Sequence, residues 1–192
     1  MYGGNSIRKI NGSDLKINTI AGTGKNSDIS SGDGGLATLA NFNRPVSITT
    51  DNANNIYIVD DADFSIRKID ALTNIITRVV GAPTFSGDGG LAKSASLNEP
   101  GAIAMDKSGN IYIADVLNHR IRKYNKSTGL ITTVVGNGST YSGFVYSSST
   151  NTYYNGKNAT DVSINSPVAI AIDSNENLFI ADKGLKVLFK VA

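Results

Sequence analysis

The sequence has no cysteine and only one histidine in 192 residues. The first absence excludes disulfides, thiolate metal sites and a cysteine nucleophile, while leaving the compartment open. The second leaves His119 alone, so no Ser/His/Asp or Cys/His constellation can be assembled. No apolar run is long enough to span a bilayer, and no membrane partner is expected. The opening MYGGNSIRKI lacks the apolar core of a signal peptide, so no export segment is expected in it. Bulk charge is missing too. Eighteen Lys and Arg against sixteen Asp and Glu leave a net +2, too little to argue for nucleic acid or an anionic membrane by charge alone.

What is present is the make-up of a folded domain, 40% hydrophobic and 18% charged, with enough chain to bury one sizeable core. Four Asn-x-Ser/Thr sequons, at Asn11, Asn125, Asn137 and Asn158, carry no signal in a chain with 21 Asn among abundant Ser and Thr.

The dominant feature is self-similarity. NIYIVDDADFSIRKID from Asn55 and NIYIADVLNHRIRKYN from Asn110 match without a gap at an offset of 55 residues, and the match continues through ITRVVG at Ile76 and ITTVVG at Ile131. NLFIADKGLKVLFKV from Asn177 is a further copy, offset by 67 from Asn110, and SIRKINGSDLKINTIAG from Ser6 is the later part of another. The repeat accounts for the whole chain.

Each unit reads as short strands separated by turn signals. VSITTD, AIAMD and VAIAID are first strands, followed by the tight-turn sequences DNANN, DKSGN and DSNEN. IYIVD, IYIAD and LFIAD are second strands, SIRKI, RIRKY and VLFKV third strands, and INTIAG, ITRVVG and ITTVVG fourth strands. The first two strands are apolar on both faces, which requires sheets packed on both sides. Four-stranded antiparallel sheets stacked around an axis make an all-β fold, the β-propeller. The expected division is a partial blade over 1–44, blades over 45–99 and 100–166, and a partial blade over 167–192.

N-x-P before the first strand, G-N-I-Y-I-A-D, and N-H-R-I-R-K at Asn118 to Lys123 together resemble the NHL repeat. The unit from Asn55 departs from it, with Asp63, Phe64 and Ser65 where Asn118, His119 and Arg120 stand. The resemblance implies the propeller fold but not one activity, because propellers serve both as enzymes and as binding platforms.

SGDGGLA occurs at Ser31 to Ala37 and at Ser86 to Ala92, in the connections between blades. It supplies one carboxylate per loop, Asp33 or Asp88, where a calcium loop needs several, and it is followed by neither the helix nor the Lys of a phosphate loop. A structural role is expected, with glycines at positive φ and the Asp accepting backbone donors in its own turn. Recurrent Asp51, Asp106 and Asp173, and Asp60, Asp115 and Asp182, read as turn caps for the same reason, and His119 as a turn or inter-blade packing residue.

Function is sought in what differs between units. The third connection is 12 residues longer than its predecessor and places Tyr141, Phe144, Tyr146, Tyr153 and Tyr154 among Ser, Thr, Asn and Gly, a mixture suited to a binding loop. The alternative is a loop packed on itself. A second candidate is the basic third strand, with Arg67, Lys68, Arg120, Arg122 and Lys123 as RNA contacts, since some NHL propellers bind RNA through a positive face. Its alternative is protection of a strand edge by charge. Propeller lactonases resemble this fold and hold a metal with a Glu, Asn and Asp cluster. Glu99 beside Asn98 is the obvious carboxylate candidate, with Arg44 and Ser166 at the equivalent positions.

The expected function is a non-catalytic scaffold for a protein partner, with contacts through inter-blade loops and no cofactor or metal. RNA binding and metal-assisted hydrolysis are the alternatives. The thirteen expected strands, two full blades plus two partial ones, are too few to close a ring, so open blade edges and self-association through them are expected.

Overall fold

A computed structural model of the chain describes residues 4–25, 29–81, 87–140 and 156–191. Thirteen strands form four antiparallel sheets among the described residues. β1 (Ile7–Ile10) and β2 (Ile17–Ala21) pair as a hairpin. β3 (Pro45–Thr50), β4 (Ile56–Asp60), β5 (Ser65–Ile69) and β6 (Ile76–Val80) form a four-stranded meander. β7 (Pro100–Met105), β8 (Ile111–Asp115), β9 (Arg120–Tyr124) and β10 (Ile131–Val135) repeat it, and β11 (Pro167–Ile172), β12 (Leu178–Asp182) and β13 (Val187–Val191) begin it again. This is an incomplete β-propeller with two full blades and two partial ones. The first strands β3, β7 and β11 lie side by side at the inner edge, where the β7 backbone amide of Ile103 donates to Ser47 Oγ on β3 at 3.3 Å.

Period-two alternation puts an apolar residue on each face of the second strands, as double burial demands. Tyr57, Val59, Ile66 and Val80 pack forward on Ile103, Ile111, Ile113 and Ile131 of the next sheet, with Ala92, Ala95 and Leu97 of the connection filling the gap. The interface before it uses Ile58, Ile69 and Ile76 with Ala37, Ala40 and Phe42. The one after it uses Ala114, Ile121 and Val135 against Leu178 and Ile180, with Val162 and Ile164. One packing solution is therefore repeated three times, each core lying between sheets.

Local chemistry fixes the turns. Asp51, Asp106 and Asp173 each accept the amide of the Asn four residues on, at 2.9, 2.8 and 2.9 Å, and that Asn side chain returns a bond to the second carboxylate oxygen. The glycine that ends each complete fourth strand is required by close approach. A Cβ on Gly81 would lie 2.3 Å from the Phe64 carbonyl oxygen, and one on Gly136 2.4 Å from that of His119, with φ near +100° and +90°.

Candidate functional site

The inter-blade connections hold the chemistry that the sequence repeats. Residues 34–35 and 89–90 run beside the fourth strand of the following sheet, with Gly34 and Gly89 amides donating to the carbonyls of Ile76 and Ile131 at 2.8 Å. This places Asp33 and Asp88 over the third strand. Arg67 on β5 donates from Nε and Nη2 to Asp33 Oδ1 at 3.1 and 2.9 Å, and caps the carbonyls of Asn41 and Ser31 at 2.8 and 2.9 Å. Its guanidinium lies 5.0 Å from the Phe42 ring centroid and 3.9 Å from Asp60. Arg122 on β9 repeats the arrangement with Asp88 at 3.0 and 2.7 Å, the Ser96 carbonyl at 3.0 Å and Asp115 at 3.7 Å.

The SGDGGLA aspartate is therefore one half of an ion pair that ties a connection to the sheet after it. The sequence-based expectation of a carboxylate accepting donors within its own turn is corrected here: the principal donor is an arginine 34 residues downstream. In the fourth sheet Phe189 occupies the arginine position, and the connection before it lacks the motif. Both halves of the pair are lost together, which a shared structural role requires.

A second set of carboxylates anchors the chain as it enters each first strand. Asp60 accepts the amides of Asn43 and Arg44 at 3.0 and 2.8 Å, Asp115 that of Asn98 at 2.7 Å, and Asp182 those of Asn165 and Ser166 at 2.7 and 3.0 Å. The Asp that ends each second strand thus holds the N-x-P of its neighbour. Burial pushes the Asp115 carboxyl up, against the opposing influence of its donors Asn118 and Asn98 and the nearby Arg122. At Asp51 burial pulls the same way, but the Asn55 side chain and amide, with the Lys126 ammonium at 3.2 Å, outweigh it and hold the carboxyl at about 2.

The candidate RNA contacts sort by burial. Arg67 is wholly buried and Arg122 nearly so, so neither guanidinium is presented to a phosphate; these two positions are corrected from surface charge to internal clamps. The physical reason is that the preceding connection lies over the face from which each arginine projects, with Asp33, Asn41 and Phe42 on Arg67 and Asp88 and Ser96 on Arg122. Lys68 pairs with Asp70 at 3.2 Å, and Lys123 with Asp106 at 3.4 Å while lying over the Tyr112 ring. Arg120 donates to the Asn137 carbonyl at 3.1 Å. His119 has a left-handed backbone and sets its Nδ1 against the Asn165 carbonyl of the next connection. Tyr141, Phe144, Tyr146, Tyr153 and Tyr154 lie outside the described residues.

Sequence reading did not single out the leucines of the connections. Leu36 and Leu91 occupy equivalent places in SGDGGLA, bridge to Ile75 and Leu130 of the following sheet, and are 50% and 61% exposed, with Leu39 at 70% beside the first. The signal was the invariable Leu after the double glycine.

The family model "Teneurin NHL domain" matches residues 82–191. The chain belongs to this NHL family. Mouse Teneurin-1 is 30% identical over 95 residues, covering 42% of this chain and 4% of that protein. Human Teneurin-4 is 35% identical over 92 residues, covering 41% and 3%. The chain thus spans a small part of these relatives. A solved Bacteroides thetaiotaomicron protein of unknown function superposes with a TM-score of 0.69 at 20% identity, over 97% of this chain and 42% of that one. That likeness concerns the NHL fold alone.

Proposed function

We propose that this NHL segment is a non-catalytic scaffold that binds a protein partner through its inter-blade connections, as part of a larger propeller. The observation that carries the reading is the pair of connections whose polar groups are engaged internally while their leucines face outward. Asp33 and Asp88 are held by Arg67 and Arg122, and the loops so fixed expose Leu36 and Leu91 at repeated positions, with Leu39 beside the first. Rigid, repeated apolar side chains on a polar surface are the features of a protein contact. Tyr141, Phe144, Tyr146, Tyr153 and Tyr154 belong to the longest connection, and we assign that loop to the same contact.

RNA binding finds less support, because Lys68 and Lys123 pair with Asp70 and Asp106, Arg120 is engaged with the Asn137 carbonyl, and Arg67 and Arg122 lie buried. Metal-assisted hydrolysis through Glu99 finds less again, because among the described residues no three of His, Asp, Glu and Cys converge.

The test is affinity capture from cells that express the chain, comparing wild type with a Leu36→Ser/Leu91→Ser variant shown to fold by circular dichroism. A protein recovered by the wild type and lost by the variant is expected. Recovery of nuclease-sensitive RNA that falls steeply with salt would replace protein binding by the RNA reading. Turnover abolished by chelation and by Glu99→Gln would replace it by hydrolysis.

A further inference from the structure

The turns between first and second strands enclose a space that neither sheet stacking nor the connections use. At the ends of β3, β7 and β11 three of these turns, 51–55, 106–110 and 173–177, meet around a cleft of about 500 Å3. It lies at the opposite end of the first strands from the connections that lead into them. Its walls are latched from sheet to sheet. Lys126 crosses Gly109, where a Cβ would lie 2.9 Å from Lys126 Cδ, and reaches Asp51 of the preceding sheet at 3.2 Å. Lys107 Nζ donates to the Ser174 carbonyl of the following sheet at 2.6 Å, and the Lys107 amide donates to Glu176 Oε1 at 3.2 Å. With each turn also pinned by its own Asp and Asn, the cleft has its shape in advance, which lowers the ordering cost of binding.

The lining sorts by what is already engaged. Asp51 and Asp106 are buried, and their carboxylates are taken up by Asn55 and Asn110 and by the ammonium groups of Lys126 and Lys123, at 3.2 and 3.4 Å. Lys107 and Asp173, the remaining charged groups of the lining, are opposite in sign. The mouth therefore offers little net charge to hold an ion. What is left facing the cleft is neutral and polar: the side chains of Thr49, Thr50, Asn52, Ser108 and Ser174 make no hydrogen bond among the described residues. Hydroxyls and an amide both donate and accept. Half-buried Met105 and Ile172 add an apolar strip beside them. Free donors and acceptors next to apolar surface, without net charge, complement a molecule whose own surface alternates hydroxyls with C–H groups.

We infer that this cleft binds a neutral polyhydroxylated ligand the size of a mono- or disaccharide, held through Thr50, Asn52, Ser108 and Ser174, with the Lys107 ammonium as a further donor. Its volume falls within the usual range of small-molecule sites, roughly 300–1,000 Å3. Internal turns of the chain form it, so a longer propeller carries it equally. It stands or falls separately from partner binding through Leu36 and Leu91, which lie on the connections at the other end of the first strands.

The experiment is isothermal titration calorimetry of the whole chain against glucose, mannose, galactose and lactose, with citrate and spermidine as an anion and a cation of comparable size. At least one of the saccharides is expected to bind saturably at millimolar concentration, and neither ion to do so. Two double variants locate the site, Asn52→Ala/Ser174→Ala and, independently, Thr50→Ala/Ser108→Ala. All four residues are exposed and their side chains make no hydrogen bond among the described residues, so circular dichroism spectra unchanged from wild type are expected. Each pair removes two donors and acceptors and is expected to weaken saccharide binding roughly tenfold. Failure of all four saccharides to bind, preference for citrate or spermidine, or saccharide binding that both double variants leave intact would overturn the inference. The Leu36→Ser/Leu91→Ser variant is expected to bind saccharide as the wild type does, which separates this failure from that of partner binding.

Discussion

Asp88 and Arg122 stand 34 residues apart in sequence and 2.7 Å apart in space, joining a connection to the sheet that follows it. Asp33 and Arg67 repeat the relationship at 2.9 Å. Because Arg122 is buried among Asp88, Asp115 and the Ser96 carbonyl, truncating it leaves acceptors without their donor. Arg122→Ala is expected to cost about 3–5 kcal/mol in urea unfolding, the usual penalty for breaking a buried pair. Asp88→Asn with Arg122→Phe, which copies Asn155 and Phe189 at the equivalent positions of the fourth unit, is expected to cost less than the two single changes added together. Additive costs would mean that the two side chains do not act as a unit.

Gly136 has φ +90°, and a Cβ there would meet the His119 carbonyl oxygen at 2.4 Å and Ile164 Cγ1 at 2.9 Å. Neither neighbour can withdraw without opening the β8–β9 turn or the core behind it. Gly136→Ala is expected to destabilise by roughly 1–3 kcal/mol, as strained backbone sites do. A melting temperature equal to that of the wild type would show that the turn yields freely.

Acid should reveal the turn carboxylates. The Asp51 carboxyl is held at about 2 against an ordinary value of 3.8. Its folded pKa is depressed, so the stability it contributes is complete above pH 4 and is lost as pH falls through about 2. The contribution is roughly 2 kcal/mol. Asp106 and Asp173 shift in the same direction and add to the slope. Asp115 shifts the other way, so it does not contribute to this loss. Asp51→Asn is expected to be less stable than the wild type at pH 7 and to lose less stability between pH 4 and pH 2. Parallel pH profiles for the two proteins would contradict this.

Much of the fold was legible because it is local or periodic. Alternation at Ile56, Tyr57, Ile58 and Val59 announces a strand covered on both faces, and Asp51 with Asn55 announces its turn four residues apart. The clamp was not legible from the SGDGGLA loop alone, since Arg67 and Arg122 belong to another sheet and meet the loop only after stacking. The paired loss of the loop aspartate and the arginine, replaced by Phe189, was the available signal. Reading the third strands as outer edges misplaced the same arginines. The preceding connections lie over the faces of β5 and β9 and bury Arg67 and Arg122, whereas Arg8 on β1, although paired with the fourth strand β2, stays exposed.

Site-specific photo-crosslinking in living cells tests the scaffold reading most directly. A benzophenone side chain at position 91 replaces a leucine that is 61% exposed, and one at position 72 replaces a leucine that is 94% exposed but lies on a turn between strands rather than on a connection. A discrete protein adduct at position 91, absent at position 72, is the expected result. Adducts confined to nucleic acid, or equal at both positions, would contradict binding of a protein through the inter-blade connections.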